Sequence, residues 1–274
     1  MTGVQTCALP IYQKGGVGKT TTVVNLAAYF GARGKRVLCI DIDPQGNTTT
    51  GLGIKKRSLT ASSYHVLNGS AKIADVIQQT EYENVSIVPA RDELAGCELE
   101  LSQMEYRATR LRMQLLTCKA DYDYIFIDCP PALGLLTLNG LAAADEIIVP
   151  MTAEFYALEG LSQLMTTMKA VRANLNPSLK IAGILFVMFD PRLNVSRQVE
   201  EEVAKYFPNQ IFRTKIPRNV RLSEAPSYGK PVMYYDKNSK GAEAYAELGM
   251  ELLGETPPPK EKKRFQLFHR KNKN

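Results

Sequence analysis

Between positions 15 and 21 the chain reads Gly-Gly-Val-Gly-Lys-Thr-Thr, and these residue types suit the capture of a polyphosphate. Backbone N–H groups can converge on a phosphate chain only where side chains are missing, which Gly15, Gly16 and Gly18 provide around Val17. Lys19 adds a point charge for the outer phosphates and Thr20 a hydroxyl for Mg²⁺, while Thr21 continues into a helix whose positive dipole end faces the anion. The strict pattern GxxxxGK[ST] has glycine at position 13, whereas here Gln13 and Lys14 precede the glycines. Three carboxylates form a second group. Asp41 and Asp43 close one apolar run and Asp128 closes another. Two acids so close together at a strand end are costly unless they meet a metal, a cation or water. A single acid ending an apolar run suits Mg²⁺ held through water.

These groups need a scaffold, and the remaining pattern describes one. Short apolar runs at 36–43, 85–90, 122–129, 146–151, 180–189 and 210–216 alternate with helical segments. Runs that are apolar throughout are strands buried on both faces, the signature of a parallel sheet covered by helices. The expected fold class is α/β, a doubly wound and mostly parallel sheet flanked by helices. One continuous helix is expected over Asp92–Leu116, because Leu94, Cys97, Leu101, Met104, Ala108, Leu111 and Leu115 recur at alternating steps of three and four.

The phosphate loop KGGVGKTTT resembles the deviant Walker A loop of ParA/MinD-type P-loop ATPases, and further segments match in order along residues 13 to about 253. Asp41-Ile42-Asp43-Pro44-Gln45-Gly46-Asn47 and the stretch Ile216-Pro217-Arg218-Asn219-Val220-Arg221-Leu222-Ser223-Glu224-Ala225-Pro226 are similar to those of Soj-like chromosome-partitioning ATPases. The resemblance implies ATP and Mg²⁺ as ligands and hydrolysis to ADP and phosphate. It implies Lys14 as a signature lysine that reaches a partner's phosphates, alongside Lys19 and Asp43 as catalytic groups, with Asp43 handling the attacking water. Thr20, Asp41 and Asp128 would serve the metal, and Pro217 and Asn219 would lie against the base. It further implies an ATP-dependent homodimer, non-specific DNA binding through Arg192 and Arg221, a ParB-like centromere-binding partner, and a cytoplasmic, nucleoid-associated location.

Two rival readings share the loop. A MinD-like membrane-cycling ATPase would use the basic and apolar tail KRFQLFHRK as a membrane contact. A nitrogenase-type iron–sulfur subunit would need two cysteines per chain, with Cys97 and Cys129 as candidates, but neither has glycine-rich surroundings. The five cysteines contain no CxxC pair, so neither a disulfide framework nor a zinc ribbon is indicated and a reducing compartment is expected. No stretch approaches the length of a membrane-spanning helix.

The expected organisation is an atypical N-terminus at 1–12, an ATPase domain at 13–255, and a proline spacer with basic tail at 256–274. Residues 1–11, MTGVQTCALPI, resemble the translation of a sequencing adapter and do not read as a good strand, since proline removes a ladder hydrogen bond. The expectation is that they stand where a native first strand would be. The formal net charge is +6, from 34 Lys+Arg and 28 Asp+Glu. Residues 260–274 alone hold seven basic and one acidic residue, so the body is formally neutral. DNA binding by the body would therefore rest on a local patch rather than on bulk charge.

Overall fold

A computed structural model of the chain describes residues 6–11 and 15–256. Eight strands form one sheet: β1 (Thr6–Pro10), β2 (Val37–Asp41), β3 (Gln78–Gln79), β4 (Val85–Val88), β5 (Tyr124–Asp128), β6 (Glu146–Thr152), β7 (Lys180–Phe189) and β8 (Ile216–Pro217). Their order is β3-β4-β2-β5-β1-β6-β7-β8, parallel throughout except for the β3–β4 pair. Strands β2 and β4 are buried at every position, as their unbroken apolar runs require. One core lies on each face. Helix α1 (Lys19–Ala32) and the helix Lys240–Leu252 cover one side, with Phe30 stacked on Tyr124 at 4.5 Å between ring centres. The helices Leu135–Ala143 and Ala157–Asn174 and the segment after β4 cover the other. Among the described residues no helix is long and apolar enough to cross a membrane.

The N-terminal segment takes the place expected of a first strand, although its proline argued against a good one. Residues Thr6–Pro10 do form a strand, and it is central, between β5 and β6. Pro10 is tolerated there because of where its nitrogen points. Ile11 donates to the Ile148 carbonyl at 3.0 Å on the β6 side, so the alternation of the ladder turns the Pro10 nitrogen toward β5. The register with β5 stops at Ala8 opposite Phe126 although β5 runs on to Asp128, so the donor that proline lacks falls at the end of that ladder while the β6 side stays paired.

Two further boundaries differ. The single helix expected over 92–116 is broken into Asp92–Gly96, Cys97–Ser102 and Arg110–Leu115. Tyr106 stands at φ +55° within the break. The Asn139 side chain takes over backbone groups there, donating to the Arg107 carbonyl at 2.7 Å and accepting from the Leu111 N–H at 3.1 Å. The seam still packs inward, with Leu94, Cys97, Leu101, Leu111 and Leu115 all in one core. The strand expected over 210–216 shrinks to Ile216 and Pro217, plus an isolated bridge from Ile184 to Ile211. The Glu251 carboxylate accepts the Arg213 and Thr214 N–H groups at 2.8 and 2.9 Å, which removes them from any ladder.

Candidate nucleotide-binding site

The phosphate loop leads into α1, with Val17 buried in the core and the glycines on either side of it turned outward. Gly16 and Gly18 both adopt φ +75°, a left-handed conformation that side chains rarely accept, and open space surrounds Gly16 where a side chain would stand. Gly18 caps α1 without a side-chain bond, so the first N–H groups of the helix have no capping partner from it, and the first turn holds no acid. Lys19 is buried, and burial draws its ammonium below the usual lysine range against the opposing charges of Asp128 and Asp43. This arrangement makes an anion site, with backbone N–H groups, helix dipole and a poorly hydrated cation converging.

The carboxylates divide the work in a way that spacing alone did not disclose. Asp41 and Asp128 end neighbouring strands and are direct register partners, both fully buried. Burial pushes both carboxyls above the usual range, and for Asp41 the charge of Asp128 adds to it. Asp128 Oδ2 accepts from the Thr20 hydroxyl at 2.7 Å and the Thr48 hydroxyl at 2.8 Å. Its Oδ1 is buried with no hydrogen-bond partner among the described residues. Asp41 turns away from the cavity. Its Oδ2 accepts from the Thr49 N–H at 2.8 Å and the Thr49 hydroxyl at 2.7 Å, and its Oδ1 from the Asp43 N–H at 3.2 Å. The cost of two adjacent buried acids is therefore met by threonine hydroxyls and main-chain N–H groups, and the bonds of Asp41 tie it to Asp43 and Thr49 in the segment 43–51. Asp43 does line the cavity, and its Oδ1 accepts from the Gln45 N–H at 2.9 Å to turn the chain into α2 (Asn47–Gly51).

The cavity over this loop has a volume of about 760 Å³ and extends from Gly15–Thr21 and Asp43 to Pro217 and Asn219. Asn219 caps the helix Val220–Glu224 by accepting from the Arg221 N–H at 3.0 Å. Sequence reasoning missed Thr48, Thr49, Asn25, Met188 and Tyr245. The threonine run after Gly46 was the available signal for the first two. Asn25 is a polar residue on the buried side of α1, where its amide donates to the Thr21 carbonyl and accepts from the Val232 N–H, both at 2.7 Å. Tyr245 lines the cavity and lies 3.2 Å from the Thr22 hydroxyl.

Lys14 and the tail 257–274 lie outside the described residues. Arg192 is 86 % exposed at its side chain and forks onto Asp190 at 2.9 and 2.7 Å. Arg221 pairs with Glu224 at 2.7 Å and Asp236 at 3.1 Å. Neither arginine lines the cavity. Cys97 and Cys129 are both buried, Cys97 on the broken helical seam and Cys129 against Gly140. Burial pushes the Cys97 thiol up to about 12, and both sulfurs lie inside the core rather than on a surface.

The family model described as an AAA domain matches residues 7–181. The chain is 53% identical to the sporulation initiation inhibitor protein Soj of Bacillus subtilis over 88% of this chain and 95% of that one. It is 51% identical to the chromosome partitioning protein ParA of Myxococcus xanthus, over 92% and 89% of the two chains. The chain belongs to the ParA/Soj family of P-loop ATPases. Among solved structures, one described as cobyrinic acid a,c-diamide synthase from Mycobacterium smegmatis with bound ADP and magnesium superposes with a TM-score of 0.79 at 37% identity, covering 90% of this chain and 94% of that one. MinD from Pyrococcus horikoshii, complexed with Mg-ADP, superposes with a TM-score of 0.74 at 27% identity, over 90% and 95%. The ParA/Soj family and the eight-stranded sheet thus agree on the P-loop fold expected from the alternation of strands and helices.

Proposed function

We propose that this chain is a DNA-partitioning ATPase that binds Mg²⁺ and ATP over residues 15–21. ATP closes it into a homodimer that binds DNA without sequence preference, and a ParB-type centromere-binding protein stimulates hydrolysis and release. The observation that carries the reading is the single cavity joining the anion site at Gly15–Thr21 to Pro217 and Asn219, large enough for a whole nucleotide.

The loop N–H groups and Lys19 hold the β- and γ-phosphates. The donor set suits a hard cation: the Thr20 hydroxyl already bonds Asp128, whose second oxygen is buried with no hydrogen-bond partner among the described residues. Thr20 and Asp128 would hold Mg²⁺, Asp128 through water. When bound, the ion neutralises charge that builds on the phosphate oxygens. Asp43, at the mouth of residues 43–51, accepts a hydrogen bond from the attacking water and orients it. Lys14 from each protomer reaches the other's phosphates, so hydrolysis is tied to dimer closure. Because the body is formally neutral, DNA contact falls to local arginines such as Arg192 and Arg221, a patch that the dimer doubles. Binding DNA in this way makes the protein nucleoid-associated. The chromosome partitioning relative in Myxococcus favours this reading over the membrane-cycling alternative.

The test is ATP-dependent retention on DNA together with phosphate release. Wild type binds DNA only with ATP and releases phosphate faster when a ParB-type protein is added. Lys19→Ala loses both, whereas Arg192→Ala combined with Arg221→Ala loses DNA retention and keeps ATP binding. DNA retention that ignores ATP, or retention on anionic vesicles in place of DNA, would overturn the proposal.

A further inference from the structure

Along β7 the side chains alternate between the two cores: Ile184 and Phe186 join one, Leu185 and Val187 the other. Regular alternation would return Phe189 to the side of Val187. Phe189 instead joins the core of Ile184 and Phe186, because one residue has been bulged out of the strand. Val187 opposes Ile216 and Phe189 opposes Pro217, which leaves Met188 with no register partner. The ladder ends at this pair, beside a proline in the edge strand, and a bulge is an ordinary way to end it. That does not account for methionine. Met188 stands at φ +51°, a left-handed conformation that glycine or asparagine would accept with less strain.

The Met188 side chain belongs to neither core and lines the nucleotide cavity, on a wall with Val187, Ile216, Pro217 and Asn219. That wall begins beside the phosphate loop, since Val187 Cγ1 lies 3.8 Å from where a Gly18 side chain would start. Strain kept at a cavity wall, where a less strained residue would close the same bulge, marks a side chain held for a ligand. We infer that Met188 is a nucleotide-contacting residue that presents its polarizable thioether to the nucleobase of the bound nucleotide. Sulfur–ring contact is the chemistry such a wall offers to a flat, π-rich group. The inference rests on the nucleotide-binding reading above.

The experiment measures the affinity of the full chain for Mg·ATP and, separately, for Mg·tripolyphosphate, a probe with no nucleoside. Met188→Gly and Met188→Asn both suit the left-handed backbone and remove the thioether. Each is expected to weaken ATP binding by about two- to tenfold, with tripolyphosphate binding and m-values unchanged and the Tm of the nucleotide-free protein equal or higher. Met188→Leu, which keeps an apolar side chain of similar size, retains most of the ATP affinity. Unchanged ATP affinity in the glycine and asparagine variants overturns the inference, as does an equal loss for both ligands or a fall in Tm. Wild type that binds neither ligand removes the nucleotide reading itself, and this inference with it.

Discussion

Replacing Thr49 with valine tests whether Asp41 acts by shaping the segment that carries Asp43. The side chain keeps its branched outline, but its hydroxyl now serves two buried groups at once. It donates to Asp41 Oδ2 at 2.7 Å and accepts from the Ala90 N–H at 2.8 Å. Thr49, Asp41 and Ala90 are all fully buried, so water cannot substitute. Losing the bond to the carboxyl costs about 1–3 kcal/mol, and leaving the Ala90 N–H without a partner costs a similar amount. The added methyl returns about 0.8 kcal/mol. The expected net loss is about 2–4 kcal/mol, or roughly 5–15 °C in Tm for a chain of this size. Urea unfolding with the m-value unchanged measures it. Thr49→Ser keeps both bonds and is expected to lose only about 1 kcal/mol. If valine costs less than serine, or the two are equal, the Asp41–Thr49–Ala90 chain does not organise the segment and the reasoning fails. ATP hydrolysis should fall further in the valine variant, because α2 and Asp43 hang on the same bonds.

Two other perturbations address the scaffold and the surface. Gly31→Ala would place a methyl 2.3 Å from the Glu83 carbonyl oxygen, where α1 is pinned by the Asn84 amide on the Gly31 carbonyl at 3.1 Å. Alanine's better helix propensity, about 1 kcal/mol, is expected to be outweighed by overpacking of roughly 1–3 kcal/mol, and a raised Tm would contradict this. The Arg192 guanidinium beside Asp190 holds its carboxyl down at about 2, with the Arg192 N–H adding to it. Because the folded value lies below the unfolded one, the contribution to stability is present above the unfolded range near ~4 and is lost as pH falls toward the folded value. Arg192→Ala should move the Asp190 midpoint upward in a carboxyl NMR titration. An unmoved midpoint would mean that the fork at Asp190 is not populated in solution.

The sequence by itself determined the anion site and the class of fold. Three glycines before Lys19 and Thr20 can be read without coordinates, since their conformational demands are local, and the unbroken apolar runs of β2, β4 and β5 report burial on both faces directly. The seam from Leu94 to Leu115 was legible as a buried face for the same reason, although not as one helix. Only the tertiary structure decided what depends on groups far apart in the chain. The Asn139 amide, on the helix after β5, takes backbone groups at the break in that seam, and Glu251 takes the N–H groups that a strand over 210–216 would have used. Pro10 passes through the centre of the sheet with its β6 side paired and its nitrogen at the end of the β5 ladder. Asp41 and Asp128 read alike in sequence, yet one is bound to Thr49 and the other to Thr20 and Thr48. Met188 reads as one more apolar residue in a strand, and its exit from the ladder shows only in the register against Ile216 and Pro217, nearly thirty positions later. In each case the outcome is set by a neighbour that chain spacing does not specify, so it belongs to the folded structure.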